Sequence, residues 1–412
     1  MEEKFLYNLL NDDYISIDDL LHNNKNENRI NRKDLEDYFL FKEKLIEEND
    51  DSIVNLPLKS FNSKYIFYVK GKSLVNKSIE FYSTILNDYD ENKNLVTDRN
   101  FDDIINSALF SEIEGTLKIE NVQTTRKQIQ EVITKSVVSK EKNDVIIKNM
   151  RDAIQFIWEN KPDFNKDNLL KLYNILSKDC LEEENKLKEK SYYRDDDVYI
   201  NKYKGANVDK IDECMDSLFD FIKDYKDYNV DLNLIPHIAH YYIIYVHPYF
   251  DYNGRTARMV SFWLNLVLGL SLKPFFISEG INEEKNLYYK AINNSRESQN
   301  DLTYFLCYIY DNCIKYSLIY KNLEEIKKTL SISGDFLTKN EILYLKKILI
   351  HNPNSYFNQK MFISYSGTDM TKQNSLKILN SLSKYNILIK TKNKKNETIF
   401  KLNDKFISYS LI

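Results

Sequence analysis

Apolar residues recur every three to four positions through most of this chain, the spacing that lays one face of an α-helix on a core. The pattern predicts helices over 6–21, 35–46, 101–118, 143–158, 166–180, 208–225, 236–246, 255–268, 283–296 and 301–330. Within 101–118 the apolar face is Ile104, Ile105, Ala108, Leu109 and Ile113, and Gly115 is placed to stop the helix. Residues 63–71 (SKYIFYVKG) read as a strand or short buried segment. A small hairpin is expected over 191–201, where Val198, Tyr199 and Ile200 adjoin a run of three aspartates. Toward the end, helices over 339–350, 356–365 and 371–385 precede two strand-like runs, 387–391 and 398–402, around KNKKNE. Only 8 glycines and 6 prolines interrupt 412 residues, which favours long elements and short loops. The expected fold class is mainly α.

Composition adds bounds rather than chemistry. With 42% hydrophobic and 29% charged residues, the chain has a soluble globular composition and length for two or three domains. The first residues, MEEKFLYNLLNDD, are acidic and unlike a secretory signal. The longest apolar run, 262–276, is broken by Asn265, Gly269, Lys273 and Pro274, so no membrane partner is expected. Cys180, Cys214, Cys307 and Cys313 lack metal-ligand spacing and are expected as buried thiols in a cytoplasmic protein. Net charge is −4, unevenly spread. Residues 331–412 hold thirteen lysines against five acids, a surplus of eight, so the rest carries −12. That asymmetry points to an acidic partner for the C-terminal segment, nucleic acid first.

The chemistry concentrates in residues 247–258, HPYFDYNGRTAR. Pro248 cannot continue the helix over 236–246, so His247 falls at a helix C-terminus facing a loop. The loop ends in Asn253-Gly254, a pair that tolerates positive φ, and a new helix begins at Arg255. A helix N-terminus offers unpaired N–H groups and the positive end of a dipole, hence an anion site. Arg255 and Arg258, three apart, share one face of its first turn. Asp251 is a carboxylate suited to Mg²⁺, which binds through one or two carboxylates plus substrate phosphates. These groups suit phosphoryl or nucleotidyl transfer, with the imidazole taking a proton from an attacking hydroxyl. His237 and His240 invite a metal reading with His247, but no fourth ligand is near, and a packed or orienting His240 is expected instead.

This stretch resembles the signature of the Fic family, HPFxDGNGRxxR. His247, Pro248, Asp251, Asn253, Gly254, Arg255 and Arg258 match; Tyr249 replaces Phe and Tyr252 replaces the first Gly. The resemblance implies a helical core that moves AMP from ATP onto a hydroxyl of a target protein. It assigns His247 as base and Asp251 as Mg²⁺ ligand. Asn253, Gly254, Arg255 and Arg258 would bind phosphates, with Tyr252 beside them. Self-restraining Fic proteins carry S/T-x-x-x-E-G/N on a helix ahead of the core, whose glutamate pairs with the second signature arginine. Glu114-Gly115 fits the end of that pattern, with Phe110 at its first position, so Glu114 is expected on Arg258. In the family a flap hairpin holds the target by strand addition. Arg194, Val198 and Ile200 fit its pattern, with Tyr199 between them. Tyr288 and Tyr289 match a tyrosine pair near the nucleobase, Tyr289 being taken as the contact.

The expected organisation is a packing or partner-selecting region over 1–95, a Fic domain with inhibitory helix over 96–330, and a C-terminal unit over 335–412. The last resembles a winged helix-turn-helix, with Lys372, Gln373 and Lys377 starting its recognition helix and Lys392, Lys394 and Lys395 in its wing. Its partner would be DNA, or a protein if the fold serves docking. A homodimer is left open. The main expectation is a protein adenylyltransferase. Its rivals are a DNA-binding regulator that senses nucleotide, and a Fic enzyme that removes AMP or transfers another phosphate-containing group.

Overall fold

The computed structural model describes residues 2–11, 14, 16–22, 30–92, 110, 112–122, 124–134, 141–200, 202–270, 277–366 and 370–407. It is mostly helical and divides into two compact units, Met1–Cys313 and Ile314–Ile412. Among the described residues no helix is long and apolar enough to cross a membrane. All four cysteines are free and buried.

In the first unit, α1 (Glu2–Leu10), α2 (Ile17–His22) and α3 (Leu35–Glu47) enclose a small core of Phe5, Leu9, Leu20, Tyr38 and Ile46. The single helix expected over 6–21 is therefore two. β1 (Ile53–Asn55) and β2 (Phe67–Val69) pair antiparallel in the register Ile53–Val69. The second edge of β2 meets the chain ahead of α14 (Thr303–Ile332): Phe67 N–H bonds Asn300 O and Leu302 N–H bonds Phe67 O. α4 spans Lys72–Asn92, and α5 covers residues 112–119. The rest of the helix expected over 101–118 lies outside the described residues, except residue 110. Gly115 does not end α5. A Cβ there would lie 2.6 Å from the Ser278 carbonyl carbon, so this glycine serves close packing against α12 (Ile277–Glu283).

The centre of the unit is a hairpin of α10 (Ile235–Val246) and α11 (Asn253–Val267), the helix pair with the most extensive contact among the described residues. α10 is apolar nearly all round and is buried almost throughout, as such a helix must be. Pro236 in its first turn needs no N–H partner. Around the hairpin lie α7 (Lys142–Asn160), α8 (Lys166–Ser177), α9 (Val208–Lys223) and α13 (Lys285–Glu297), and α6 (Arg126–Thr134) packs on α7. Trp263 of α11 is fully buried, with its indole N–H on Pro162 O at 2.8 Å.

The second unit begins inside α14, earlier than the expected boundary at 335. Tyr316, Ile319, Leu323, Ile326 and Leu330 on that helix belong to the core of Leu345, Leu349, Phe362, Leu379 and Leu402. Its elements run α15 (Lys339–His351), β5 (Phe357–Asn358), α16 (Gln359–Ser366), α17 (Lys372–Lys384), β6 (Leu388–Lys392) and β7 (Thr398–Leu402), with the sheet ordered β5-β7-β6. Thr338 and Glu341 form a capping box that starts α15.

One buried charge pair ties the N-terminal segment to the start of α14. Lys42 Nζ lies 2.7 Å from Asp301 Oδ2, both side chains buried, and the ammonium sits 4.7 Å from the Tyr38 ring centroid. Tyr14 and Thr303 also donate to Asp301. Removing one partner strands the other without water. Lys42→Ala should therefore cost about 3–5 kcal/mol in chemical denaturation. A loss below about 1 kcal/mol would show that the pair holds nothing together.

Candidate functional site

The turn between α10 and α11 is set by two left-handed residues rather than by Asn-Gly. His247 caps α10 at φ 55° and Tyr252 precedes α11 at φ 66°. Asn253 and Gly254 are already helical, so α11 starts two residues before the expected Arg255. A side chain in this region costs roughly 1–2 kcal/mol, which the surrounding contacts must offset. Asn253 supplies part of that: its side chain accepts from Tyr249 N–H at 3.0 Å and donates to Tyr249 O at 2.8 Å. Its amide is thus spent closing the loop, and only its backbone N–H is left for an anion.

Arg194 fastens the flap to this turn. Its Nε donates to His247 O at 2.8 Å, its Nη atoms donate to Asp196 O and Ala206 O, and its own N–H bonds Pro248 O at 3.0 Å. A Cβ on Gly205 would fall 2.9 Å from Arg194 Nη2 and 3.2 Å from His247 Cβ, so the flap comes this close only with glycine there. The flap pairs β3 (Tyr199–Ile200) with β4 (Tyr203–Lys204), so it turns after the aspartates rather than around them. Val198 O takes the Gly205 N–H at 3.0 Å, and Tyr199 is 74% exposed at the hairpin.

His247 is half-buried. Burial and the charges of Arg296 and Arg194 lower its pKa to about 4, against an opposing bond to Ile244. The imidazole is therefore neutral near pH 7 and able to accept a proton. Asp251 is half-exposed, with Oδ1 accepting the Tyr252 N–H at 2.6 Å. The Arg255 guanidinium lies flat on the Tyr252 ring, 3.3 Å from its centroid, and its buried Nε and Nη1 have no hydrogen-bond partner. Such a stacked guanidinium keeps its in-plane donors for an anion.

Arg258 decides the electrostatics of the cradle. It is buried; its Nε donates to Thr116 Oγ1 at 2.8 Å and its Nη2 to Glu120 Oε1 at 2.6 Å. Burial works against the Glu120 charge, but Arg258 and Arg255 outweigh it and hold the carboxyl below its ordinary range. A Cβ on Gly254 would sit 3.0 Å from Glu120 Oε1, so this carboxylate occupies the N-terminus of α11. The expected partner was Glu114. That residue instead pairs with Lys118, one turn along α5, at 2.7 Å. The S/T-x-x-x-E-G/N pattern recurs six residues after Phe110, as Thr116-Leu117-Lys118-Ile119-Glu120-Asn121, now with its first position filled. Asn121 at φ 57° is the left-handed residue that ends the helix. Its N–H bonds Lys118 O, and Val122 N–H bonds Leu117 O, a Schellman cap. Both Glu114-Gly115 and Glu120-Asn121 stand in the sequence, and the true end of α5 at Asn121 separates them.

On α13, Tyr288 is buried and its hydroxyl lies 2.9 Å from His240 Nε2. Tyr289, beside it, is 49% exposed and feels the charges of Glu120 and Arg258. His237 and His240 are buried and held neutral by that burial. Among the described residues no group of three or more His, Cys, Asp or Glu surrounds a metal position.

Residues 163–264 match the model of the Fic/DOC family, so the chain contains a Fic domain. A 71-residue stretch is 32% identical to the protein adenylyltransferase fic-1 of Caenorhabditis elegans, covering 17% of this chain and 13% of that protein. Among solved structures, a Fic family protein from Desulfovibrio desulfuricans aligns over 80% of this chain and 95% of its own, at 16% identity and TM-score 0.48. Residues 134–508 of the nematode Fic-1 align over 61% of this chain and 73% of their own, at 18% identity and TM-score 0.49.

The start of α5 is held by a second carboxyl. Glu112 is buried and accepts from Ser278 N–H at 3.3 Å and from the Ser278 hydroxyl. Burial raises its pKa from 4.5 to about 7, although Ser278 and Arg258 pull it down. The folded chain thus holds this proton more tightly than the unfolded one. The stability it gives is full below pH 4.5 and is lost as pH rises through about 7. Thermal denaturation of the wild type should show this loss, up to about 3 kcal/mol, and Glu112→Gln should lack it. Parallel pH profiles for both proteins would remove Glu112 as the cause.

Proposed function

We propose that this chain, which contains a Fic domain, transfers AMP from ATP to a Ser, Thr or Tyr hydroxyl of a target protein, and that Glu120 restrains it. The observation that carries the reading is the cradle at the start of α11. There unpaired helix N–H groups, Arg255 and Arg258 face an anion position beside a neutral imidazole. ATP would lie with its phosphates in this cradle and its base toward Tyr289. His247 takes the proton of the target hydroxyl as that oxygen bonds the α-phosphorus. The bond to the pyrophosphate oxygen breaks, and the electron pair leaves with pyrophosphate. Asp251 is exposed and has carboxylate capacity for Mg²⁺, which would neutralise phosphate charge when bound. Positioning and electrostatics supply most of the acceleration.

Glu120 enters as a competitor. A γ-phosphate would need the guanidinium and helix N-terminus that this carboxylate holds. Arg258 pairs with Glu120 at 2.6 Å, so Glu120 takes the restraining role first expected of Glu114. Two other reactions remain as outcomes of the test: removal of AMP, and transfer of another phosphate-containing group.

Incubation with α-labelled ATP, Mg²⁺ and a lysate should label protein. His247→Ala should abolish labelling and leave ATP binding nearly intact. Glu120→Gly should raise the rate about tenfold or more, the worth of a buried charge-assisted contact, whereas Glu114→Gly should not. Labelling that survives His247→Ala would take the imidazole out of the reaction.

For the second unit we propose contact with nucleic acid. Its support is a set of exposed lysines on two adjoining elements, Lys372 and Lys377 on α17 and Lys392, Lys394 and Lys395 at the β6–β7 turn. Changing Lys372, Lys377 and Lys394 to Glu should weaken duplex DNA binding. It should also flatten the salt dependence by about 0.9 in log–log slope per lost phosphate contact. Full-length protein that shows no salt-dependent binding would make the unit a protein-docking module.

A further inference from the structure

The C-terminal end of α5 is gripped from another helix. Lys285, the first residue of α13, donates through its ammonium to Lys118 O, to Ile119 O at 3.0 Å and to Asn121 Oδ1 at 3.3 Å. An ammonium has three N–H donors, and three acceptors are in place. Two of these acceptors are carbonyls of the last turn of α5, at the negative end of its dipole, and Lys118 O takes the ammonium in addition to the Asn121 N–H of the cap. The carbonyls belong to the two residues that immediately precede Glu120.

The position is poor for Lys285 on its own helix. A cation at a helix N-terminus opposes the dipole. Burial and the nearby Arg258 charge also work against the ammonium and lower its pKa, with Glu120 opposing them. The end of α5 is what compensates. The Schellman cap at Asn121 fixes the backbone path but leaves the direction of the last turn to its neighbours.

We propose that Lys285 is a positioning residue for Glu120: by gripping the last turn of α5 it keeps the carboxylate on Arg258 and so sets the resting rate of AMP transfer. The proposal rests on the reading of Glu120 as a restraint. It also places that restraint under the control of α13, the helix that carries Tyr288 and Tyr289. A ligand or partner that shifts the start of α13 would loosen Glu120 without touching it.

Two readouts on the full-length protein separate this from its premise. The first is the initial rate of transfer from α-labelled ATP in wild type, Lys285→Met, Lys285→Arg, Glu120→Gly and the double variant Lys285→Met/Glu120→Gly. Lys285→Met should raise the rate toward that of Glu120→Gly, by about tenfold at full effect. Lys285→Arg should keep most of the restraint, and the double variant should match Glu120→Gly. The second readout is amide hydrogen exchange. Lys285→Met should speed exchange in residues 112–122 and leave α10 and α11 unchanged.

Wild-type rates in Lys285→Met, beside a raised rate in Glu120→Gly, would overturn the proposal and spare its premise. So would unchanged exchange in α5, whatever the rates. A double variant slower than Glu120→Gly would assign Lys285 to nucleotide binding and overturn the positioning role. If Glu120→Gly itself fails to raise the rate, there is no restraint to position and both readings fall.

Discussion

The Arg258 guanidinium is the group the rest of the site accommodates. It is buried on the α11 face that meets α5, and a buried charge needs a partner of opposite sign. Here the partner is Glu120, at a place where the first N–H groups of α11 also favour an anion. The site is thus an anion position with one negative group already in it. Removing that group without replacement would leave a buried cation unpaired. Exchange for a phosphate oxygen would keep the charge balance, so under the proposed function restraint and substrate binding would compete for a single position.

That arrangement demands accuracy from both helices. α11 is placed by its packing on α10, by Trp263 and by the loop that Asn253 and Arg194 hold closed. α5 is placed by contacts at three points along its length. Glu112 meets the first turn of α12, Gly115 allows close approach to Ser278, and the last turn meets Lys285. Thr116, between them, gives Arg258 a second acceptor. These polar and steric contacts add to the apolar face of α5, whose Ile113, Leu117 and Ile119 are buried.

Tyr252 departs from the signature at a left-handed position. The first glycine of the Fic pattern corresponds to a left-handed position, and this chain puts a tyrosine there at φ 66°. The ring lies under Arg255 and shields one face of its guanidinium. The Tyr252 N–H is taken by Asp251 Oδ1, while its ring fixes where the guanidinium lies. A residue that strains the backbone therefore also orders a guanidinium at the start of α11.

Much of this was legible in the linear order of residues. Periodicity placed the helices around α7–α11 to within a few residues, because amphipathic spacing and proline positions are local properties. The run from His247 to Arg258 showed an imidazole, a carboxylate and two guanidiniums within one short stretch, since a single turn between helices holds them all. The partner of Arg258 was not fixed in that way. Glu114 and Glu120 stand six residues apart on adjoining turns, and both end a plausible inhibitory pattern. Which one reaches the guanidinium depends on where α5 stops and how it is rotated. Gly115 looked like a helix stop, but it is a packing glycine, and its reason lies in Ser278, more than 160 residues away. The domain boundary was likewise placed too late, because α14 is continuous in sequence while its second half is buried by another core. Local spacing determined the elements and the chemistry of the turn. Long-range packing alone decided which carboxylate meets Arg258 and which lysine meets the last turn of α5.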